Sequence, residues 1–307
     1  MSVTREDVER ARTVLTGRVH RTPTFRSTTL GVSLKAELFQ KTGSFKVRGA
    51  LNRVAALTPE ERKAGVVTWS AGNHAQAVAW AAREEGVDCL VEMWEGVSPL
   101  KVEVTRGFGA TVDLSSPDPA AAYEKTLAIV EEAGRVFVHP HSDPDVVAGH
   151  GTLALELLED FPELETVVVG TGGGGLISGI VTALDGRVRV IGVAPERAQA
   201  FPAGLAAGHS VPVETNTIAD GLAPPFAGEL PIEICRGKVD TVLVTEDEIA
   251  GGMRFLYARA KLAAEPAGAA AAGAVLAGKV ESGPGMAVIV SGGNVEPMEA
   301  AAILREQ

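Results

Sequence analysis

Four segments of this chain pair a reactive or polar side chain with small residues at what read as helix starts or strand ends. The first is Lys41-Thr42-Gly43-Ser44-Phe45-Lys46-Val47-Arg48-Gly49-Ala50. Gly43 and Ser44 mark a helix start, which places Lys46 in the first turn. An amine among apolar neighbours and near the positive end of a helix loses its proton more easily, and that suits Schiff-base chemistry. Read alone, the segment fits a solvated helix lysine better, since most lysines are exposed. The second segment is Ser70-Ala71-Gly72-Asn73-His74, between a strand end and a helix start. Its backbone N–H groups and the Ser70 hydroxyl suit a carboxylate, and Asn73 could bond a phenolic oxygen. His74 fits a satisfied core histidine equally well.

The third segment is Val169-Gly170-Thr171-Gly172-Gly173-Gly174-Gly175. Successive glycines after a strand and before a helix expose backbone donors with no Cβ in the way, which makes a phosphate cradle. Gly170-x-Gly172-x-x-Gly175 also fits a dinucleotide fingerprint, but the acidic residue that fingerprint wants, Glu196, comes slightly late. The fourth is Val288-Ile289-Val290-Ser291-Gly292-Gly293-Asn294, which sets the Ser291 hydroxyl at a sheet's carboxyl edge or in a polar turn.

Short apolar runs alternate with helical patterns, from Val66–Trp69 and Gly72–Glu85 through to Val188–Val193. This predicts βαβ units, an α/β fold and two mostly parallel sheets. Thr58-Pro59-Glu60-Glu61 and Thr245-Glu246-Asp247-Glu248 carry capping boxes. The 307 residues are 46% hydrophobic and 22% charged, enough for a sizeable core. A net charge of −11 argues against nucleic acid and anionic membranes as partners. Cys89 and Cys235 lack metal-like spacing and read as reduced structural thiols of a cytoplasmic protein. No signal peptide and no membrane span is expected.

Taken in order along the chain, these segments resemble the fold-type II pyridoxal-phosphate (PLP) enzymes, specifically the threonine/serine dehydratase and serine racemase branch. The resemblance runs from Arg21-Thr22-Pro23 to Ser291-Gly292-Gly293-Asn294. It includes His139-Pro140, Gly149-x-Gly151-Thr152, Ala219-Asp220-Gly221 and Glu265-Pro266-Ala267-Gly268-Ala269. It implies a tryptophan synthase β-like fold with a large PLP-binding domain (1–64 and 143–307) and a small mobile domain (65–142) that closes over substrate. Lys46 matches the Schiff-base lysine, and Phe45 the residue packed on the cofactor ring. Asn73 matches the partner of the ring hydroxyl, Ser291 that of the pyridine nitrogen, and Gly172, Gly173, Gly174 and Gly175 the phosphate loop. Gly221 and Glu265 match residues lining the cofactor face. Ser70, Ala71, Gly72 and His74 match the turn that holds the substrate carboxylate.

The implied activity is β-elimination from a β-hydroxy amino acid such as threonine or serine, giving a 2-oxo acid and ammonia. A neutral Ser291 makes a weaker electron sink than an aspartate would, and so favours prompt elimination over transamination. Racemases of the family carry a serine at the position of Ala71, and alanine transfers no proton. The positions matching a divalent-metal site are Ala194 and Ala200, so no such site is expected, although Glu196 lies close by. His141 faces the substrate's β-side in relatives, where an imidazole would suit a polar, acidic or aromatic substituent. It also reads as a surface-loop histidine. His150, Pro224 and Pro225 depart from the usual pattern, which keeps phenylserine-like and hydroxyaspartate-like substrates open. The chain stops soon after Arg305, so neither a regulatory domain nor isoleucine inhibition is expected. A homodimer is expected by analogy. The competing readings are an amino-acid racemase, a nicotinamide-dependent oxidoreductase built on Gly170–Gly175, and a PLP-binding protein without turnover.

Overall fold

The computed structural model describes residues 2–305. Ten strands form two sheets with helices packed on them. The strands are β1 (Thr24–Ser27), β2 (Val32–Ala36), β3 (Val66–Trp69), β4 (Cys89–Trp94), β5 (Thr111–Ser116), β6 (Val136–Phe137), β7 (Thr166–Gly170), β8 (Arg189–Pro195), β9 (Asp240–Val244) and β10 (Met286–Val290). The larger sheet has the order β1-β2-β10-β7-β8-β9, parallel except for the β1–β2 pair. The smaller sheet, β5-β4-β3-β6, is wholly parallel. The expected α/β architecture with two mostly parallel sheets is therefore present. Strands buried on both faces read as continuous apolar runs, which is why β3, β7 and β10 stood out in the sequence. The mixed polar pattern of β1 and β2, with Lys35 fully buried, gave no such signal.

Thr58 and Thr245 cap helices with reciprocal bonds from Glu61 and Glu248, as expected. Thr4 and Asp7 do the same for an unanticipated first helix, Arg5–Leu15.

Two contacts position the functional segments. The helix Lys46–Ala55 crosses the helix Pro144–Asp160 at glycines, and a Cβ on Gly149 would stand 2.5 Å from the Arg48 carbonyl oxygen. Pro144–Asp160 meets Gly175–Leu184 the same way, since a Cβ on Gly151 would stand 2.6 Å from the Gly179 carbonyl oxygen. The Gly149-x-Gly151 spacing thus sets how near the Lys46 helix and the glycine-loop helix approach their common neighbour. The apolar face of the Lys46 helix (Val47, Ala50, Leu51, Val54) shares a core with the smaller sheet.

The second contact is ionic. Arg48, 1% exposed, makes paired hydrogen bonds to Glu37 (2.8 and 2.9 Å) and to Glu156 (2.6 and 2.9 Å). Lys35 donates to Glu156 (2.7 Å) and to the Thr22 carbonyl (2.8 Å). Burial alone would raise the Glu37 carboxyl, yet Arg48 holds it below the usual carboxylate value. The network therefore braces the helix two residues past Lys46. Removing one partner of a buried pair strands the other charge, so Glu37→Leu should cost about 3 kcal/mol of stability. Urea unfolding checks this, and an unchanged midpoint would contradict it.

Candidate functional site

The carboxyl ends of β3, β7 and β10 open onto one cleft of about 1110 Å³. Every residue singled out above as cofactor- or substrate-facing lines it: Phe45 and Lys46, the Ser70–His74 turn, His141, Gly172–Gly175, Gly221, Glu265 and Ser291. Parallel strands feeding helices put their turns at one sheet edge, where open α/β sheets bind ligands.

Lys46 is the first residue of its helix. A short antiparallel bridge ties that start to the Ser291 turn, with Phe45 N–H donating to the Ser291 carbonyl (3.1 Å) and Gly293 N–H to the Gly43 carbonyl (3.0 Å). Lys46 Nζ donates to the Pro140 carbonyl at 2.8 Å, and no carboxylate among the described residues pairs with it. Surrounding protein therefore pushes its amine down to about 8. Phe45 lies beside it, with Nζ 5.3 Å from the ring centroid. Behind Phe45, the buried His150 meets its ring edge-on at 4.7 Å.

The N–H groups of Gly172, Gly173, Gly174 and Gly175 donate to no acceptor among the described residues, although three of the four glycines are buried. Unpaired buried donors are costly, and at a helix N-terminus they fit a phosphate. Gly174 takes φ 91°, and a Cβ on Gly173 would come within 2.4 Å of the His141 ring. In the Ser70–His74 turn, the N–H groups of Ala71, Asn73 and His74 are likewise free, while Gly72 N–H donates to Ser70 Oγ (3.2 Å). This is a second anion-ready helix start, of a size suited to a carboxylate. The His74 imidazole itself is packed in the wall, its Nε2 2.9 Å from the Val138 carbonyl oxygen.

Asn73 Nδ2 donates to Glu265 Oε1 (2.7 Å), which leaves one amide hydrogen for a ligand oxygen. Asn294 Nδ2 donates to Asn73 Oδ1 (2.7 Å) and to the Thr42 carbonyl (2.7 Å), so Asn294 fixes which way Asn73 points. Asn294 follows directly on the Ser-Gly-Gly turn, but only the fold brings it to Asn73. Burial pushes Glu265 up to about 8. The Ser291 hydroxyl lines the cleft and bonds no other described residue.

His141 corrects the surface-loop reading. It is 4% exposed, its ring stands edge-on to His139 at 4.6 Å, and Nε2 has no partner. Burial holds it well below the ordinary histidine value, so it is neutral at pH 7. Sequence reading placed His141 near the site but gave no sign that the chain would fold it against Gly173 and Gly175. Trp69, Tyr123 and Phe226 also line the cleft, and no motif pointed to them. Ala194 and Ala200 are buried methyls, and no group of three or more His, Cys, Asp or Glu suited to a metal occurs among the described residues.

An isolated lysine between a phosphate-ready glycine loop and a carboxylate-ready turn defines a site for an aldehyde cofactor carrying a phosphate. Residues 15–292 match the family described as pyridoxal-phosphate dependent enzyme, and the chain belongs to that family. It is 44% identical to the L-threonine ammonia-lyase of Thermotoga maritima, over 96% of this chain and 76% of that one. It is 40% identical to the catabolic L-threonine dehydratase TdcB of Escherichia coli K12, over 95% and 93%. In structure it is similar to maize serine racemase, with TM-score 0.91 and 34% identity over 98% and 97% of the chains. Its cofactor is pyridoxal phosphate. The nucleotide reading of Gly170–Gly175 is thereby set aside, and Glu196 instead faces Lys279 at 3.5 Å.

An amine that titrates near 8 is about one-tenth neutral at pH 7, against well under a thousandth for an ordinary lysine. Only the neutral amine attacks an aldehyde. Capture of the cofactor by stripped protein, followed by absorbance, should therefore speed up through pH 8 and level off above it. Glu265 titrates in the same range and shares the cleft, so Glu265→Gln is the control. The inflection should survive in that variant, and a rate that keeps climbing to pH 10 would contradict the account.

Proposed function

We propose that this enzyme converts threonine or serine, by PLP-dependent β-elimination, into a 2-oxo acid and ammonia. The observation that carries this reading is Lys46, an amine with no carboxylate partner among the described residues, in one cleft with a methyl at position 71. A lyase needs one group to take the Cα proton, and Lys46 supplies it. A racemase needs a second proton donor, and Ala71 has none. The threonine ammonia-lyase and dehydratase relatives support the same choice, and the likeness to a serine racemase makes position 71 the discriminating one.

When bound, pyridoxal phosphate withdraws electrons from Cα. The chain does the rest. The N–H groups of Gly172–Gly175 would hold the phosphate, and those of Ala71, Asn73 and His74 the substrate carboxylate. Asn73, oriented by Asn294, would hold the ring oxygen, and Ser291 would meet the ring nitrogen with a neutral hydroxyl. Phe45 and Gly221 would line the ring's site. Lys46 accepts the proton from Cα as hydroxide leaves Cβ. Residues 65–142 act as the smaller lobe that closes over the substrate, which their separate sheet supports. A cytoplasmic homodimer belongs to this reading. Cys89 and Cys235, free and pushed up to about 12 by burial, are in keeping with a reducing compartment. Among the described residues no helix is long and apolar enough to cross a membrane.

Threonine should yield equal amounts of 2-oxobutyrate and ammonia, and Lys46→Ala should lower kcat by about 10³-fold or more. Cofactor binding without oxo-acid release would instead mark a non-catalytic PLP protein. Ala71→Ser should gain serine racemisation, measured by chiral chromatography. Wild-type racemisation faster than elimination would overturn the assignment.

A further inference from the structure

Aromatic residues make up 5% of the chain, yet three of them meet in this cleft. Trp69 ends β3 directly before the carboxylate-ready turn. Tyr123 comes from the helix Pro119–Ala133, and Phe226 from the loop after Pro224-Pro225. Trp69 lies 4.9 Å from Tyr123 and 6.3 Å from Phe226, ring to ring, and Tyr123 lies 5.6 Å from Phe226. Phe226 is 6.1 Å from His141, the residue after the carbonyl that accepts from Lys46. The wall therefore starts beside the reactive amine and runs outward. Two of its polar atoms, Trp69 Nε1 and His141 Nε2, are buried without a partner.

Tyr123 and Phe226 are only partly buried, so they serve the cleft as much as a core. The cleft, at about 1110 Å³, holds both the cofactor-facing residues and this aromatic wall. Its charges argue against an acidic substituent. No arginine lines it among the described residues, and Lys101 is paired with Asp220 at 2.6 Å. Asp118, Glu124 and Glu296 line it as well.

We propose that Trp69, Tyr123, Phe226 and His141 form a subsite for an aryl group on the substrate's Cβ, making 3-aryl-serines substrates of this enzyme. The inference rests on the β-elimination reading and extends it. The Cα proton passes to Lys46 and on to the departing hydroxyl, so the Cβ–O bond breaks and water leaves as the Cα–Cβ double bond forms. The released 2-amino-3-arylacrylate tautomerises and takes up one water, giving an arylpyruvate and ammonia. No oxidant or reductant is consumed.

The test compares 3-phenylserine with threonine in steady-state kinetics of the PLP-loaded protein. It also compares L-phenylalanine with L-alanine, which have no β-leaving group, by titration calorimetry. Phenylserine should show a KM at least tenfold below that of threonine, and phenylalanine should bind at least tenfold tighter than alanine. Phe226→Ala should raise the phenylserine KM about tenfold more than the threonine KM. Tyr123→Leu repeats the comparison should Phe226→Ala fail to fold. Threonine turnover without phenylserine turnover overturns the subsite and leaves the lyase reading standing. Equal losses on both substrates in Phe226→Ala make the wall a closing contact and overturn it too. If neither substrate reacts, the lyase reading fails. The calorimetry then decides the subsite alone, with a tenfold preference for phenylalanine keeping it and equal binding removing it.

Discussion

The structure depends on one uncompensated amine. Lys46 is held at a helix start with a carbonyl 2.8 Å away and no carboxylate among the described residues to balance it, and burial brings its amine down to about 8. A nearby carboxylate would stabilise the charged form and end its usefulness as a nucleophile and base. The fold meets the opposite need two residues later, where Arg48 is paired with both Glu37 and Glu156. The same helix thus carries one cation tied into the core and one left free in the cleft. The tied one keeps the free one in place.

The same economy runs through the rest of the site. The glycine loop and the Ser70–His74 turn both leave backbone donors without acceptors. In a core that would be a defect; at the mouth of two helices it prepares two anion sites. Asn294, Asn73 and Glu265 form a hydrogen-bonded chain across the cleft, linking the Ser291 turn to the smaller sheet's first helix and to the start of Pro266–Leu276.

Much of this was legible in the sequence because it is local. Lys46 sits at a helix start, and Gly172–Gly175 and Ser291 sit where a strand pattern meets a helix or turn pattern; such places carry their own signature in glycine and serine. What was not legible is what the fold assembles from afar. Tyr123 and Phe226 are ordinary aromatics in their own segments and become a wall only when a helix of one lobe meets a loop of the other. Asn294 was read as part of a turn, and its role as the clamp on Asn73 spans more than two hundred positions. His141 could be read either way because an imidazole is at home in water or in a wall. Only its contact with Gly173 decides between them. Strands β1, β2 and β9 escaped notice because their alternation is broken by charged or polar residues such as Lys35 and Asp240.

The central claim is that Lys46, and no other lysine, carries the cofactor. Borohydride reduction of the PLP-loaded protein, followed by peptide mass mapping, tests it most directly. The account predicts a single pyridoxyl label on the peptide that contains Lys46, lost in Lys46→Ala. A label on another lysine, or none in protein that has taken up the cofactor, would contradict it.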